Sequence, residues 1–266
     1  MKSDDRAIGI FDSGLGGLTI LKQVRRLLPK ENIIYFGDSA HVPYGSKSKE
    51  TVTGYSLDIA RFLESKNVKL ILIACNTASA LALEAVQKQA KVPVLGVIAP
   101  GAKRAAAASK NKKVAVLGTE STVKSNAYPL HIGKLDKNIK TAQYACPLFV
   151  PLIEEGLLDG PITALVVKRY LEPVKKYGAD TIILGCTHYP VIKKNIAKLF
   201  GPGVKLVDSA EEIAKEAKAL LAQKNLLKTK GKAKVQIYAS DSPLRFTRLG
   251  ARITGAKLPK VKEVKI

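Results

Sequence analysis

The chain has 266 residues, 46% of them apolar, with 44 Lys and Arg against 22 Asp and Glu, a net charge of +22. That much apolar material excludes a disordered chain despite the charge, and it suffices for one large core or two modest ones. No apolar run approaches the ~20 residues of a bilayer span, and MKSDDRAIGIF places two acids where a secretory signal has a basic end, so a soluble, cytoplasmic protein is expected.

In chain order, short apolar runs alternate with segments of helical period. AIGIF leads into the helical segment 17–28, NIIYFG into 49–65, KLILIAC into 77–90 and PVLGVI into 100–110. The pattern resumes with KVAVLG at 113, IKTAQYAC at 139, TIILGC at 181 and VKLVDS at 204. Nearly continuous apolar strands separated by helices predict an α/β fold with parallel sheets covered on both faces. The halves also resemble each other. Ile8–Asp12 matches Val114–Gly118 at an offset of 106, and Leu72–Cys75 matches Ile183–Cys186 at 111. An internal duplication therefore predicts two similar doubly wound domains, related by a pseudo-twofold axis, with a site at their interface beyond the carboxyl ends of the strands.

The polar residues at those strand ends are the candidates for chemistry. Asp12 and Ser13 open the loop DSGLGG, which is neither a dinucleotide fingerprint nor a Walker A sequence, so its glycines read as a tight turn and a close approach to a small ligand. GDSAHVPYG carries Tyr44 and Gly45 in a shaped loop, although a purely structural turn is equally compatible. Cys75 ends an apolar strand and is followed by Asn76 and Thr77 at a predicted helix start, where backbone N–H groups favour a thiolate or an anionic ligand. GTESTVKS mirrors the first loop in the second half, and its Thr119 and Thr122 offer hydroxyls to a carboxylate. Cys186 repeats the setting of Cys75, with Thr187 next and His188 two positions on; a histidine tunes a nearby thiol or acts as acid and base itself. Free cysteine also packs well as a small hydrophobe, which is how Cys146 reads among its prolines. Glu154 and Glu155 close that stretch on what is otherwise a solvated helix face. Three cysteines without a CxxC fit a reducing compartment.

Residues 224–266 hold twelve Lys or Arg against two acids. Charge alone gives nonspecific, salt-sensitive attraction to nucleic acid, and no zinc-finger spacing or aromatic RNA platform accompanies it. A nucleic-acid or acidic partner for this segment is therefore open but not expected.

Together DSGLGGL, GDSAHVPYG, ACNTASA, GTESTVKS, CPLFVPLIEEG, LGCTHYP and VDSA closely resemble the glutamate racemases, in order and over nearly the whole chain. The resemblance implies cofactor-independent interconversion of L- and D-glutamate, supplying D-glutamate for peptidoglycan, with no metal. It implies Cys75 and Cys186 as the two acid/base groups, Asp12 assisting Cys75, and His188 with Glu154 assisting Cys186. It places Asp12, Ser13, Tyr44, Gly45, Asn76, Thr77, Thr119, Thr122, Thr187 and His188 around the substrate. It also implies a homodimer and a discontinuous first domain, 1–97 plus 209–266, around a second, 98–208. Rival readings are a related racemase acting on aspartate, a thiol redox enzyme cycling a Cys75–Cys186 disulfide, and a binding protein working through its basic tail.

Overall fold

A computed structural model describes residues 3–266. The first part of the chain forms β1 (Ala7–Asp12), α1 (Leu18–Leu27), β2 (Ile33–Gly37), α2 (Lys49–Ser65), β3 (Val68–Ile73), α3 (Asn76–Leu81), α4 (Leu83–Gln89) and β4 (Val94–Gly96). The second contributes α5 (Ile98–Ala108), β5 (Lys113–Gly118), α6 (Glu120–Lys124), α7 (Ala127–Leu135), β6 (Lys140–Ala145), α8 (Phe149–Glu154), α9 (Pro161–Tyr177), β7 (Thr181–Gly185), α10 (Lys193–Phe200) and β8 (Lys205–Val207). α11 (Ala210–Gln223), β9 (Val235–Ala239), α12 (Pro243–Thr254) and β10 (Val261–Glu263) complete the chain. Among the described residues no helix is long and apolar enough to cross a membrane.

Two sheets result, ordered β10-β9-β2-β1-β3-β4 and β6-β5-β7-β8, and every strand pair is parallel. The run β2-β1-β3-β4 has the same order as β6-β5-β7-β8. The matched segments of sequence thus occupy matched places: β1 and β5 lie between their neighbours, and β3 and β7 end in Cys75 and Cys186. The basic segment after α11 supplies β9 and β10, which extend the first sheet along β2.

Period-two alternation divides each strand between two cores. Ile8, Ile10, Leu70 and Leu72 face one side of the first sheet, packing against α1, α11 and α12, while Phe11, Ile71 and Ile73 face α2 and α4 on the other. In the second sheet Ala115 and Leu117 face α8 and α9, and Val114 and Val116 face α5 and α7. Strands buried on both faces carry few polar side chains, Lys69 near the start of β3 and Thr181 at the start of β7 being exceptions. The polar residues that share a cavity lie beyond the carboxyl ends.

Candidate active site

The glycine-rich loop after β1 is built around Asp12, which is fully buried. Its Oδ2 accepts the backbone N–H of Gly14 at 3.2 Å and of Gly17 at 2.9 Å, and its Oδ1 accepts the Thr187 hydroxyl from the other half at 3.1 Å. Tyr35 pins the same loop by donating its hydroxyl to the Gly14 carbonyl at 2.8 Å. Burial raises the Asp12 carboxyl above its ordinary range, while the charge of His188 and the loop donors pull it back. The glycines serve the meeting of the halves: a Cβ on Gly16 would lie 2.4 Å from Thr187 Oγ1.

Cys75 caps α3, where its sulfur accepts the Ala78 N–H at 3.5 Å and its thiol donates to Ser13 Oγ at 3.6 Å. Burial pushes this thiol up to about 12, and the Asp12 carboxylate adds to the rise; the Ala78 N–H and Ser13 oppose it. Asp12 thus acts on Cys75 through its charge, and its own hydrogen bonds go to the loop and to Thr187.

The Cys186 side differs from its counterpart. A helix start was expected after both cysteines, but Pro190 has no N–H to bond the Cys186 carbonyl, and Tyr189 donates to it instead at 3.1 Å in a 3₁₀ turn over Tyr189–Ile192. His188 stands in this turn with Nδ1 3.8 Å from Cys186 Sγ and Nε2 2.6 Å from Glu154 Oε1. Burial disfavours the imidazolium, yet the contacts with Cys186 and Glu154 outweigh it and raise His188 well above its ordinary value. Burial likewise disfavours the Glu154 carboxylate, but His188, Arg245 and the Leu15 N–H hold it below the usual range.

Ser13, Tyr44, Gly45, Cys75, Asn76, Thr77, Thr119, Cys186, Thr187 and His188 line one cavity together with Pro43 and Val150. Asp12, Thr122 and Glu154, also expected around the reaction, do not line it. Asp12 lies behind the loop, Glu154 behind His188, and Thr122 one hydrogen bond away, 3.3 Å from the Thr77 hydroxyl and 3.0 Å from that of Thr119. Each of the three is instead hydrogen-bonded to residues that do line it: Asp12 to Thr187, Glu154 to His188, and Thr122 to Thr77 and Thr119.

Pro43 and Val150 carry no polar signal and were missed, as were two supporting groups. Asp38 accepts the Tyr44 hydroxyl at 2.5 Å, and Tyr128 donates to Asn76 Oδ1 at 2.6 Å across the two halves. The cavity has about 10 Å³ of free volume, on the order of one water. A wider recess of about 270 Å³ opens beside it between Val42, Val150, Glu154 and Arg245.

Two thiols from equivalent strand ends therefore face one small polar cavity, one flanked by a serine and a helix start, the other by a histidine–glutamate pair. Known proteins resemble the chain over nearly its whole length. The Asp/Glu/Hydantoin racemase family model matches residues 16–217. A glutamate racemase of Geobacter metallireducens is 50% identical over 262 residues, covering 98% of this chain and 97% of its own. Among solved structures, a glutamate racemase isoform from Bacillus anthracis superimposes with a TM-score of 0.95 at 37% identity, over 99% of this chain and 98% of that one. The Francisella tularensis glutamate racemase, solved in complex with D-glutamate, gives 0.92 at 42% identity over 98% of both chains. The chain belongs to the Asp/Glu/Hydantoin racemase family, with glutamate racemases as its near relatives.

Proposed function

We propose that the protein interconverts L- and D-glutamate by proton transfer at Cα between two cysteines, and that it supplies D-glutamate for peptidoglycan. The observation that carries this reading is the presence of Cys75 and Cys186, from opposite halves, in the lining of one cavity. Inverting a stereocentre requires a proton to leave one face and another to arrive on the opposite face. A single acid/base on a fixed substrate serves one face only; two thiols from two domains serve both.

In each direction one cysteine, as thiolate, takes the Cα proton and becomes a thiol, while the opposite thiol protonates the carbanion-like carbon and becomes a thiolate. The two sides suit this exchange differently. Cys75 is a thiol at neutral pH, held so by burial and by Asp12. An α-ammonium entering beside Ser13 brings the positive charge that this side lacks and eases ionisation of Cys75. Cys186 has a charged donor at hand, because the imidazolium of His188 opposes it with Glu154 behind. The hydroxyls of Thr77 and Thr119, 2.9 Å apart, and the amide of Asn76 are fixed donors for carboxylate oxygens and for charge delocalised from Cα.

The cavity lies between the two halves and is small. Closure of the halves around the substrate excludes water from the carbanion.

The test is incorporation of solvent deuterium at Cα from each glutamate enantiomer, in wild type, Cys75→Ser and Cys186→Ser. Wild type is expected to label the product enantiomer, and both variants to lose racemisation. Racemisation at the wild-type rate by either variant would rule out the two-base scheme. Parallel assays on the aspartate enantiomers test the choice of substrate.

A further inference from the structure

The cavity leaves unused most of the basic charge near the C-terminus, but two of those residues have a defined task. Arg245 and Arg252 lie seven positions apart on α12, two turns, and so share one face. Arg245 Nη2 donates to the Glu154 carbonyl at 3.0 Å and to Glu155 Oε1 at 2.9 Å, and Arg252 Nη2 donates to the Gly156 carbonyl at 3.3 Å. The Glu154 carbonyl is at the end of α8, where a helix leaves acceptors unsatisfied and its dipole favours cations; that of Gly156 lies two residues on and also accepts the Leu158 N–H at 3.0 Å. Gly156 has φ +76°, and a Cβ on it would lie 2.8 Å from Arg252 Nη1.

α12 is itself fixed on the first half. Phe246 packs where Gly37 has no side chain, a Cβ there being only 2.5 Å from the ring, and Leu249 joins the same core. A helix anchored on the first sheet therefore grips the end of a helix of the second. The gripped helix carries Val150 to the cavity and Glu154 to His188.

We infer that Arg245 and Arg252 form a clasp between the halves that sets Glu154 against His188 on closure, which makes Arg245 a positioning residue for the Cys186 side. The assignment to catalysis rests on the racemase reading; the effect on His188 does not. Facing His188 are Cys186 at the end of β7, Glu154 on α8 and, through its charge, Asp12 at the end of β1. Glu154 in turn is faced by Arg245 from α12 and by Tyr35 from β2, and Glu155 shares the Arg245 guanidinium.

The test uses the full-length protein and two readouts. The chain has three histidines, so the His188 ring is assignable by ¹⁵N NMR from its loss in His188→Gln. In Arg245→Ala the His188 titration is expected to move down, towards its position in Glu154→Gln. Because free L- and D-glutamate have equal energy, kcat/KM should fall equally in both directions, by roughly tenfold and mainly through kcat. In the Glu154→Gln background Arg245→Ala should cost nothing further, and Arg245→Lys, which keeps a donor for the carbonyl, should recover most of the loss. An unmoved His188 titration in Arg245→Ala, or losses that multiply in the double variant, overturns the clasp. Arg252→Ala carries the same test should Arg245→Ala fold poorly. A shifted titration in a protein that racemises nothing would keep the clasp and remove the racemase reading.

Discussion

Gly16 and His188 meet across the two halves so closely that a Cβ on the glycine would stand 2.7 Å from the imidazole Nδ1 and 2.8 Å from the backbone nitrogen. Gly16 does not have a positive φ, so its requirement is for space rather than for backbone freedom. Gly16→Ala should therefore fold, and its added methyl should push His188 away from Cys186. A displacement of about 1 Å in an acid/base pair costs on the order of 100-fold in rate. The expected outcome is kcat/KM lowered by about that factor with a native circular dichroism spectrum; near-wild-type kinetics would show that the interface yields without disturbing the pair.

Thr119 does two jobs that can be separated. Its side chain lines the cavity, and its Oγ1 also accepts the Thr122 N–H at 3.2 Å as the N-cap of α6. Thr119→Val should lose both, costing about 1 kcal/mol of stability from the cap and raising KM for glutamate. Thr119→Ser keeps the hydroxyl and should recover both. Thr122→Val removes a hydroxyl one layer back and should change KM less than Thr119→Val, which steady-state kinetics on the three variants would decide.

The first sheet's inner strands, the second sheet and the two thiols were legible because their signals are local: an apolar run, then a cysteine, then hydroxyls. β9 and β10 were not, since VQIYA and VKE are short, sit among lysines, and gain their place by pairing with β2 far back in sequence. The glycine loop was legible as a close approach, but the partner in that approach was not, because Thr187 lies 175 residues from Asp12. Tyr128 was missed for the same reason, lying 52 residues from Asn76. Asp38 is only six residues from Tyr44, but nothing in GDSAHVPYG says that the loop folds its carboxylate back onto the phenol. What the sequence could reveal were groups able to react; what it hid were the groups that aim them.

Lys69, fully buried on β3, pairs with Glu31 Oε2 at 2.6 Å and donates to the carbonyls of Asp4 at 2.8 Å and Leu226 at 2.7 Å. It thus joins three distant segments at the end of the first sheet opposite the cavity. Lys69→Met would leave the Glu31 carboxylate and two carbonyls without their cation. Breaking one side of a buried pair costs about 3–5 kcal/mol. Urea unfolding should show a loss of this size, with kcat of the folded variant unchanged; a loss below about 1 kcal/mol would mean that water or rearrangement replaces the ammonium.

Cys75 and Cys146 give the protein an alkaline weakness. Burial is the main cause on both, and it pushes each thiol from 9.0 up to about 12. Asp12 adds to the rise at Cys75, and the neighbouring Cys186 adds at Cys146. The native state therefore keeps protons that the unfolded chain gives up above about pH 9, so unfolding releases protons in that range. The sign follows: the stabilising effect of holding the thiols neutral is complete below 9.0 and is lost progressively as pH rises towards 12. Each group contributes a slope on the order of 1 kcal/mol per pH unit within the window. Lysines and tyrosines titrate there too, so the informative quantity is a difference between variants. Cys146 lies outside the cavity lining, and Cys146→Ala removes its titration while adding a small cavity whose cost does not depend on pH. Denaturant unfolding at several pH values from 8 to 11 should give a shallower decline for the variant than for wild type. Two parallel curves would mean that the Cys146 thiol ionises as readily in the folded protein as in the unfolded chain, and that its burial is relieved by water.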